Sequence, residues 1–147
     1  MRSFPAGVAV LTVDAHGEQL GLTVSAVVSL SLEPPLVGVA VSRQAAMHEL
    51  LRSAGGFALS LLAGDQDAVA QHFARGVPPF AHWHGVARRE GAAGAPLLDG
   101  ALGWVECRLA GEQPAGDHTL FLGEVLSVEA GRPGPALVHV GQGYVSL

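Results

Sequence analysis

Hydroxyl side chains crowd two short stretches of this chain, Thr23-Val24-Ser25-Ala26 and Ser29-Leu30-Ser31. In extended backbone alternate residues share a face, so Thr23 pairs with Ser25 and Ser29 with Ser31, and each pair can present two hydroxyls to one ligand edge. Such hydroxyls, with free backbone N–H groups, match a ligand rich in donors and acceptors; the same residues also suit a strand that is merely solvated. Ser42 ends an apolar run and precedes Met47, Leu50 and Leu51 at helical spacing, so it can cap a helix. A hydroxyl and open N–H groups at a helix start form a natural phosphate site, with Arg43 beside it or simply exposed to water. The pair His82 and His84 flanks Trp83 but has no third ligand at a known position, so these read as surface or packing histidines and no metal is assigned. Cys107 is alone; Val105 and Leu109 share its face in an alternating strand, which describes a plain buried thiol.

Some chemistry is excluded by what is missing. No G-x-G-x-x-G follows a strand, no Walker loop occurs, and no G-x-S-x-G elbow is present, so neither a Rossmann dehydrogenase nor an α/β-hydrolase fits. The formal net charge of -5, with eight basic residues that are all arginine and form no cluster, argues against a nucleic-acid surface. Charged residues make up only 14% of the 147 residues, which suits a chain that hides one face in an obligate homodimer. The apolar stretch from Ala26 to Val41 is broken by Glu33-Pro34-Pro35 and no signal peptide opens the chain, so no membrane span is expected and a cytoplasmic protein follows.

The elements that must hold these residues are mostly strands. Ala6 to Val13 and Gln19 to Val24 flank the turn residues Asp14-Ala15-His16-Gly17 and predict a hairpin. Leu36 to Val41 predicts a strand, then a helix capped at Ser42 and stopped by Gly55-Gly56. Phe57 to Leu62 predicts another strand, then a helix capped by Asp65 with Val69 and Phe73 on one face. Gly76 to Gly100 is rich in Gly and Pro and reads as a long functional loop. Gly103 to Leu109, Thr119 to Glu129, Pro135 to Val140 and Tyr144 to Leu147 read as β. About seven strands with two or three short helices and no β-helix-β alternation predict one mainly antiparallel barrel over residues 1–147.

In order along the chain, Arg2-x-Phe4-Pro5-x-Gly7-Val8-x-Val10, Gly21-Leu22-Thr23-Val24-Ser25, Ser29-Leu30-Ser31-Leu32-Glu33-Pro34-Pro35-Leu36-Val37, Gly100-Ala101-Leu102-x-Trp104 and Ala115-Gly116-Asp117-His118 resemble the short-chain flavin reductases. These include the reductase components of two-component flavin monooxygenases such as 4-hydroxyphenylacetate and phenol hydroxylases. The resemblance implies an FMN-binding split β-barrel, mostly antiparallel with short flanking helices, and a homodimer with flavin near the interface. It further implies reduction of FMN or FAD by NADH or NADPH, and delivery of reduced flavin to a flavin-dependent oxygenase. By the same resemblance Thr23, Val24, Ser25, Ala26, Ser29, Leu30, Ser31 and Ser42 line the flavin, with Arg43 next to the phosphate. Gly116 allows close backbone approach, and His118, whose imidazole can donate or stack, borders the nicotinamide. Asp117 reads as a turn residue or the partner that orients His118. A tight FMN flavoprotein serving another acceptor, or a flavin- or haem-binding module without hydride transfer, would share these features. Set against that family, the chain is expected to depart at three places: a helix usually stands before the Arg-x-Phe-Pro element, so here either an N-terminal dimer contact is missing or the start is shifted; Val77-Pro78-Pro79-Phe80 stands where many carry Asp-Arg-Phe; and Val27-Val28 replaces a common aromatic residue.

Overall fold

Stretches rich in valine and leucine pair across the chain rather than with helices, and the result is mainly β. The computed structural model describes residues 1–147. In chain order the elements are β1 (Ala6–Gly7), β2 (Ala9–Ala15), β3 (Glu18–Val24), β4 (Val27–Leu32), β5 (Pro35–Ser42), α1 (Ala46–Ala54), β6 (Gly56–Leu61), α2 (Asp67–Ala74), β7 (Arg88–Glu90), β8 (Pro96–Leu98), β9 (Gly103–Ala115), β10 (His118–Ala130), β11 (Leu137–Val140) and β12 (Gly143–Ser146).

Seven strands form one sheet in the order β3-β2-β6-β9-β10-β5-β4, and every ladder in it is antiparallel. Its two edges, β3 and β4, are consecutive in sequence and joined only by Ser25-Ala26. Two residues reach no further than about 10 Å, and the antiparallel order leaves β3 and β4 running parallel, so the sheet must curl until the C-terminal end of β3 meets the N-terminal end of β4. No ladder closes β3 onto β4 among the described residues. The curled sheet encloses Leu11, Val13, Val39, Val41, Leu59, Cys107 and Phe121, and α1 lays Met47 and Leu51 on that cluster. Val105 and Leu109 pack beside Cys107, as the alternation of β9 requires. A second cluster, outside the curl, joins Val10, Phe73 of α2, Leu98 and Leu137.

Helix boundaries depart from the sequence reading at both caps. Ser42 is not an N-cap: it is still paired in β5 with His118, α1 begins only at Ala46, and the residue at its cap position, Ala45, has no capping side chain. Asp65 does not cap α2 either; its carboxylate is held by Arg132 and the cap position is Gln66. For Asp65 a tertiary partner takes the group that local propensity would have given to the helix, whereas the Ser42 hydroxyl accepts the Gln44 N–H at 3.3 Å, ahead of α1. Gly55 does terminate α1, at φ 71, donating its N–H to the Leu51 carbonyl at 3.1 Å.

The long segment after α2 is not free loop throughout. Its second half, the β7–β8 hairpin, is gripped by polar side chains on the outside of the sheet. Thr12 Oγ1 donates to the Pro96 carbonyl at 2.6 Å, Trp104 Nε1 to the Leu98 carbonyl at 2.8 Å, and Ser60 Oγ and Glu106 Oε1 accept the N–H groups of Leu98 and Ala93 at 3.0 and 2.9 Å.

Candidate functional site

Antiparallel pairing sets the last residue of β5 against the first of β10, so Ser42 faces His118 although 76 residues separate them. The Arg43 N–H donates to the Asp117 carbonyl at 3.0 Å and extends this contact past the strand ends. Gly116 opens the two-residue β9–β10 turn at φ 66, a conformation that an L side chain resists. Ser42, Arg43, Gly116, Asp117 and His118 therefore form one cluster at one end of the sheet. His118 is half exposed and its Nδ1 lies 2.8 Å from Asp117 Oδ1. That hydrogen bond first, and the imidazole charge second, hold the Asp117 carboxyl below its ordinary range. A carboxylate partner places the ring proton on Nδ1 and leaves Nε2 to face a ligand.

The crossover from β3 to β4 joins this end. The Ala26 carbonyl accepts the Ala40 N–H at 3.0 Å, two residues from Ser42, and Ser25 and Ala26 are exposed. The other hydroxyl-bearing residues are placed differently. Thr23 turns its hydroxyl away to donate to the Ala70 carbonyl of α2 at 2.5 Å, and Ser25 lies beyond the end of β3, so the two do not form a pair on one strand face. Val24 is buried in the core, leaving its backbone as the part that can meet a ligand. Ser29 pairs with Val37 and Ser31 with Leu36, five and six places from Ser42 along β5, roughly 16–20 Å at the rise of a strand. Leu30 between them is an extra residue in the ladder, so the alternation that would align Ser29 with Ser31 is broken.

Two grooves flank the crossover and β3. One, about 300 Å³, is lined by Gly7, Val8, Ala9, Val27, Leu61, Leu62, Leu102, Ala136 and Leu137 and is mostly apolar. The other, about 260 Å³, runs between β3 and the start of α1, with Ala45, Ala46, Met47, Phe73, Arg75 and His82 among its walls. At the start of α1 the Ala46 and Met47 N–H groups have no intrahelical acceptor and Ala45 offers no capping side chain, whereas the His48 N–H donates to the Ala45 carbonyl at 3.0 Å.

His82 and Trp83 cover the free edge of β3. His82 Nε2 accepts the Gly21 N–H at 2.8 Å and Trp83 Nε1 donates to the Gln19 carbonyl at 3.2 Å, which shields backbone groups that an uncovered edge would leave open. Burial, then the neighbouring His72, pushes the His82 pKa below its ordinary value. Among the described residues no three His, Cys, Asp or Glu side chains converge as a metal site.

The sequence reading passed over His48. It is buried, and its Nε2 lies 2.7 Å from Thr119 Oγ1, next in sequence to His118. A signal was present: His48 falls on the same helical stripe as Met47 and Leu51, a polar residue within an apolar face.

Comparison with known proteins covers this whole arrangement. A family model described as the flavin reductase like domain matches residues 1–147. The reductase component of 4-hydroxyphenylacetate 3-monooxygenase from Thermus thermophilus is 43% identical over 144 residues, 98% of this chain and 90% of that protein. The flavin reductase component BorF of a bacterial two-component tryptophan halogenase superposes with a TM-score of 0.90 at 39% identity, over 99% of this chain and 92% of that one. An NADH:FAD oxidoreductase from Streptomyces globisporus, solved with NAD and FAD fragments, gives a TM-score of 0.91 at 36% identity, over 97% of this chain and 85% of that one.

Proposed function

Because the chain belongs to the flavin reductase like family, we propose that it is an NAD(P)H:flavin oxidoreductase that reduces FMN or FAD and supplies reduced flavin to a partner monooxygenase. The observation that carries this reading is the convergence of Ser42, Arg43, Gly116 and His118 beside the Ser25-Ala26 crossover. The residues present fit a flavin. A mostly apolar groove suits a planar ring system, the exposed Ser25 and Ala26 offer hydroxyl and backbone groups for its polar edge, and an uncapped helix start with Arg75 nearby suits a phosphate.

Bound flavin supplies the redox chemistry, accepting a hydride from the reduced nicotinamide. The protein's part is to hold the two ring systems in contact and in register. Thr23 and Val24 serve through their backbone, Ser25 and Ala26 along the flavin edge, and Ser42 and Arg43 toward the phosphate end. Ser29, Leu30 and Ser31 lie further along β4 and suit a more distant part of the flavin. His118, oriented by Asp117 through Nδ1, offers Nε2 to the nicotinamide, and Gly116 keeps the turn open for its approach.

The curled seven-stranded sheet, with edges joined by two residues, supports a split β-barrel formed by one domain. A homodimer accounts for its outer face. A Cβ on Gly38 would meet Val28, Leu30 and Leu120 at 3.0–3.1 Å, so these apolar side chains converge on the outside of the sheet, where Val28 and Leu30 stay exposed. The β3 edge is covered by His82 and Trp83, whereas β4 offers an apolar free edge of the sort that a second copy covers. No helix among the described residues is long and apolar enough to cross a membrane, and dependence on reduced nicotinamide supports a cytoplasmic setting.

The test is a steady-state assay of NADH and NADPH, each crossed with riboflavin, FMN and FAD. Nicotinamide oxidation that depends on flavin and rises with added free flavin is expected. Absence of oxidation with every pair would refute the reading. Light scattering of the flavin-bound protein should report a dimer at micromolar concentration, and a monomer would remove the interface.

A further inference from the structure

Most of what α1 buries is apolar: Met47 and Leu51 join Val41 and Phe121 in the main cluster. One polar pair interrupts it. His48 and Thr119 are 4% and 3% exposed, His48 Nε2 lies 2.7 Å from Thr119 Oγ1, and the Phe121 ring meets the imidazole edge-on with centroids 5.2 Å apart. The other ring nitrogen, Nδ1, lies 3.1 Å from Glu49. Glu49 in turn pairs with Arg52, which holds Glu112 on β9. Helix α1 is thus tied to both arms of the β9–β10 hairpin, to β10 inside the core and to β9 at the surface.

A buried polar pair adds little net stability over an apolar pair of the same shape. Its distinctive effect is geometric, because only one placement of the helix on the strand satisfies both partners. Here that placement is fixed one residue from His118 and directly across from Val41, the neighbour of Ser42. We propose that His48 is a positioning residue: through Thr119 it sets the β10 end of the hairpin relative to α1, and thereby places His118 for hydride transfer. This rests on the nicotinamide role of His118 given above.

The test uses the full-length, flavin-bound protein and stopped-flow bleaching of flavin by NADH, read beside a melting curve. Replacing both partners, His48→Leu with Thr119→Val, removes the bond without leaving a lone polar group; Thr119→Val alone removes only the hydroxyl, and Thr119→Ser keeps it. The double variant should melt near the wild type and Thr119→Val, which leaves His48 Nε2 without a partner in the core, several degrees lower, yet both should reduce flavin about tenfold more slowly at saturating NADH. Thr119→Ser should recover most of the rate, and the slowing should largely vanish in a His118→Ala background, where nothing remains to be positioned. A wild-type rate in both hydroxyl-free variants, or a slowing that adds in full to that of His118→Ala, overturns the proposal. A His118→Ala variant that reduces flavin at the wild-type rate instead sinks the underlying role of His118, and the proposal with it.

Discussion

Replacing His118 by alanine should slow flavin reduction about tenfold while leaving the fold intact, and the structure gives reason for both halves. The imidazole is 44% exposed, and its one hydrogen-bond partner, the Asp117 carboxylate, is 95% exposed. Exposed pairs of this kind contribute little to stability, so the melting temperature should stay within about 2 °C of the wild type. A histidine with a structural role behaves otherwise. His82 is 5% exposed and accepts a backbone N–H, and removing such an acceptor costs about 1–3 kcal/mol, or several degrees of melting temperature. Slowing by a factor of ten corresponds to about 1.4 kcal/mol of barrier, the size of one lost orienting hydrogen bond. Stopped-flow bleaching of bound flavin, with NADH varied, measures the rate, and a flavin titration checks that the affinity survives. Wild-type rates, or a slowing matched by a lower melting temperature and lost flavin, would refute the reasoning.

Ser42→Ala should weaken FMN about tenfold and riboflavin little, since one hydrogen bond to a charged phosphate is worth about 1.5–3 kcal/mol; equal weakening of the two in isothermal titration would place Ser42 away from the phosphate. His82 must be neutral to accept the Gly21 N–H, and its folded pKa lies below the ordinary 6.5. Its contribution to stability is therefore complete above about pH 6.5 and is lost as pH falls through the folded value. The melting temperature of the wild type should accordingly drop more steeply between neutral and mildly acid pH than that of His82→Gln, and parallel curves would exclude this origin. Burial, aided by the charge of Glu106, pushes the Cys107 thiol up to about 12, so iodoacetamide should label it at neutral pH only after unfolding; comparable labelling of native protein would contradict the buried position.

What the sequence made legible was what burial dictates. The strands later seen as β2, β3, β5 and β6 stand out because their apolar residues face a core. Gly55 stops its helix because a left-handed residue is needed there. Strand β4 was harder to see: its apolar residues Val28, Leu30 and Leu32 point outward and remain exposed, and an extra residue breaks its alternation. The three-residue strands β7 and β8 exist because Thr12, Ser60, Trp104 and Glu106 grip their backbone, a cause that lies elsewhere in the chain. Both helix caps failed, for different reasons: β5 runs on to Ser42, whose hydroxyl takes the Gln44 N–H before the helix begins, and the Asp65 carboxylate is held by Arg132.

The site shows the same division between residue types, which the sequence displays, and the directions of side chains, which it does not. Ser42 and His118 were picked out singly, and only the β5–β10 register brings them together. Thr23 has the right type and the wrong direction, because an α2 carbonyl stands where its hydroxyl points. A search for catalytic groups by shifted acidity would also mislead here. Cys107 and His82, both moved by burial, serve packing and edge protection, while the shift at Asp117 reports first its hydrogen bond to His118 and then the imidazole charge. This is the pattern that hydride transfer between two bound ring systems calls for, since it needs no tuned acid or nucleophile from the protein. On the function proposed above, the residues that matter are those that fix distance and orientation, and register is what brings the candidates together: Ser42 across from His118, Ala26 bonded to Ala40, and His48 bonded to Thr119.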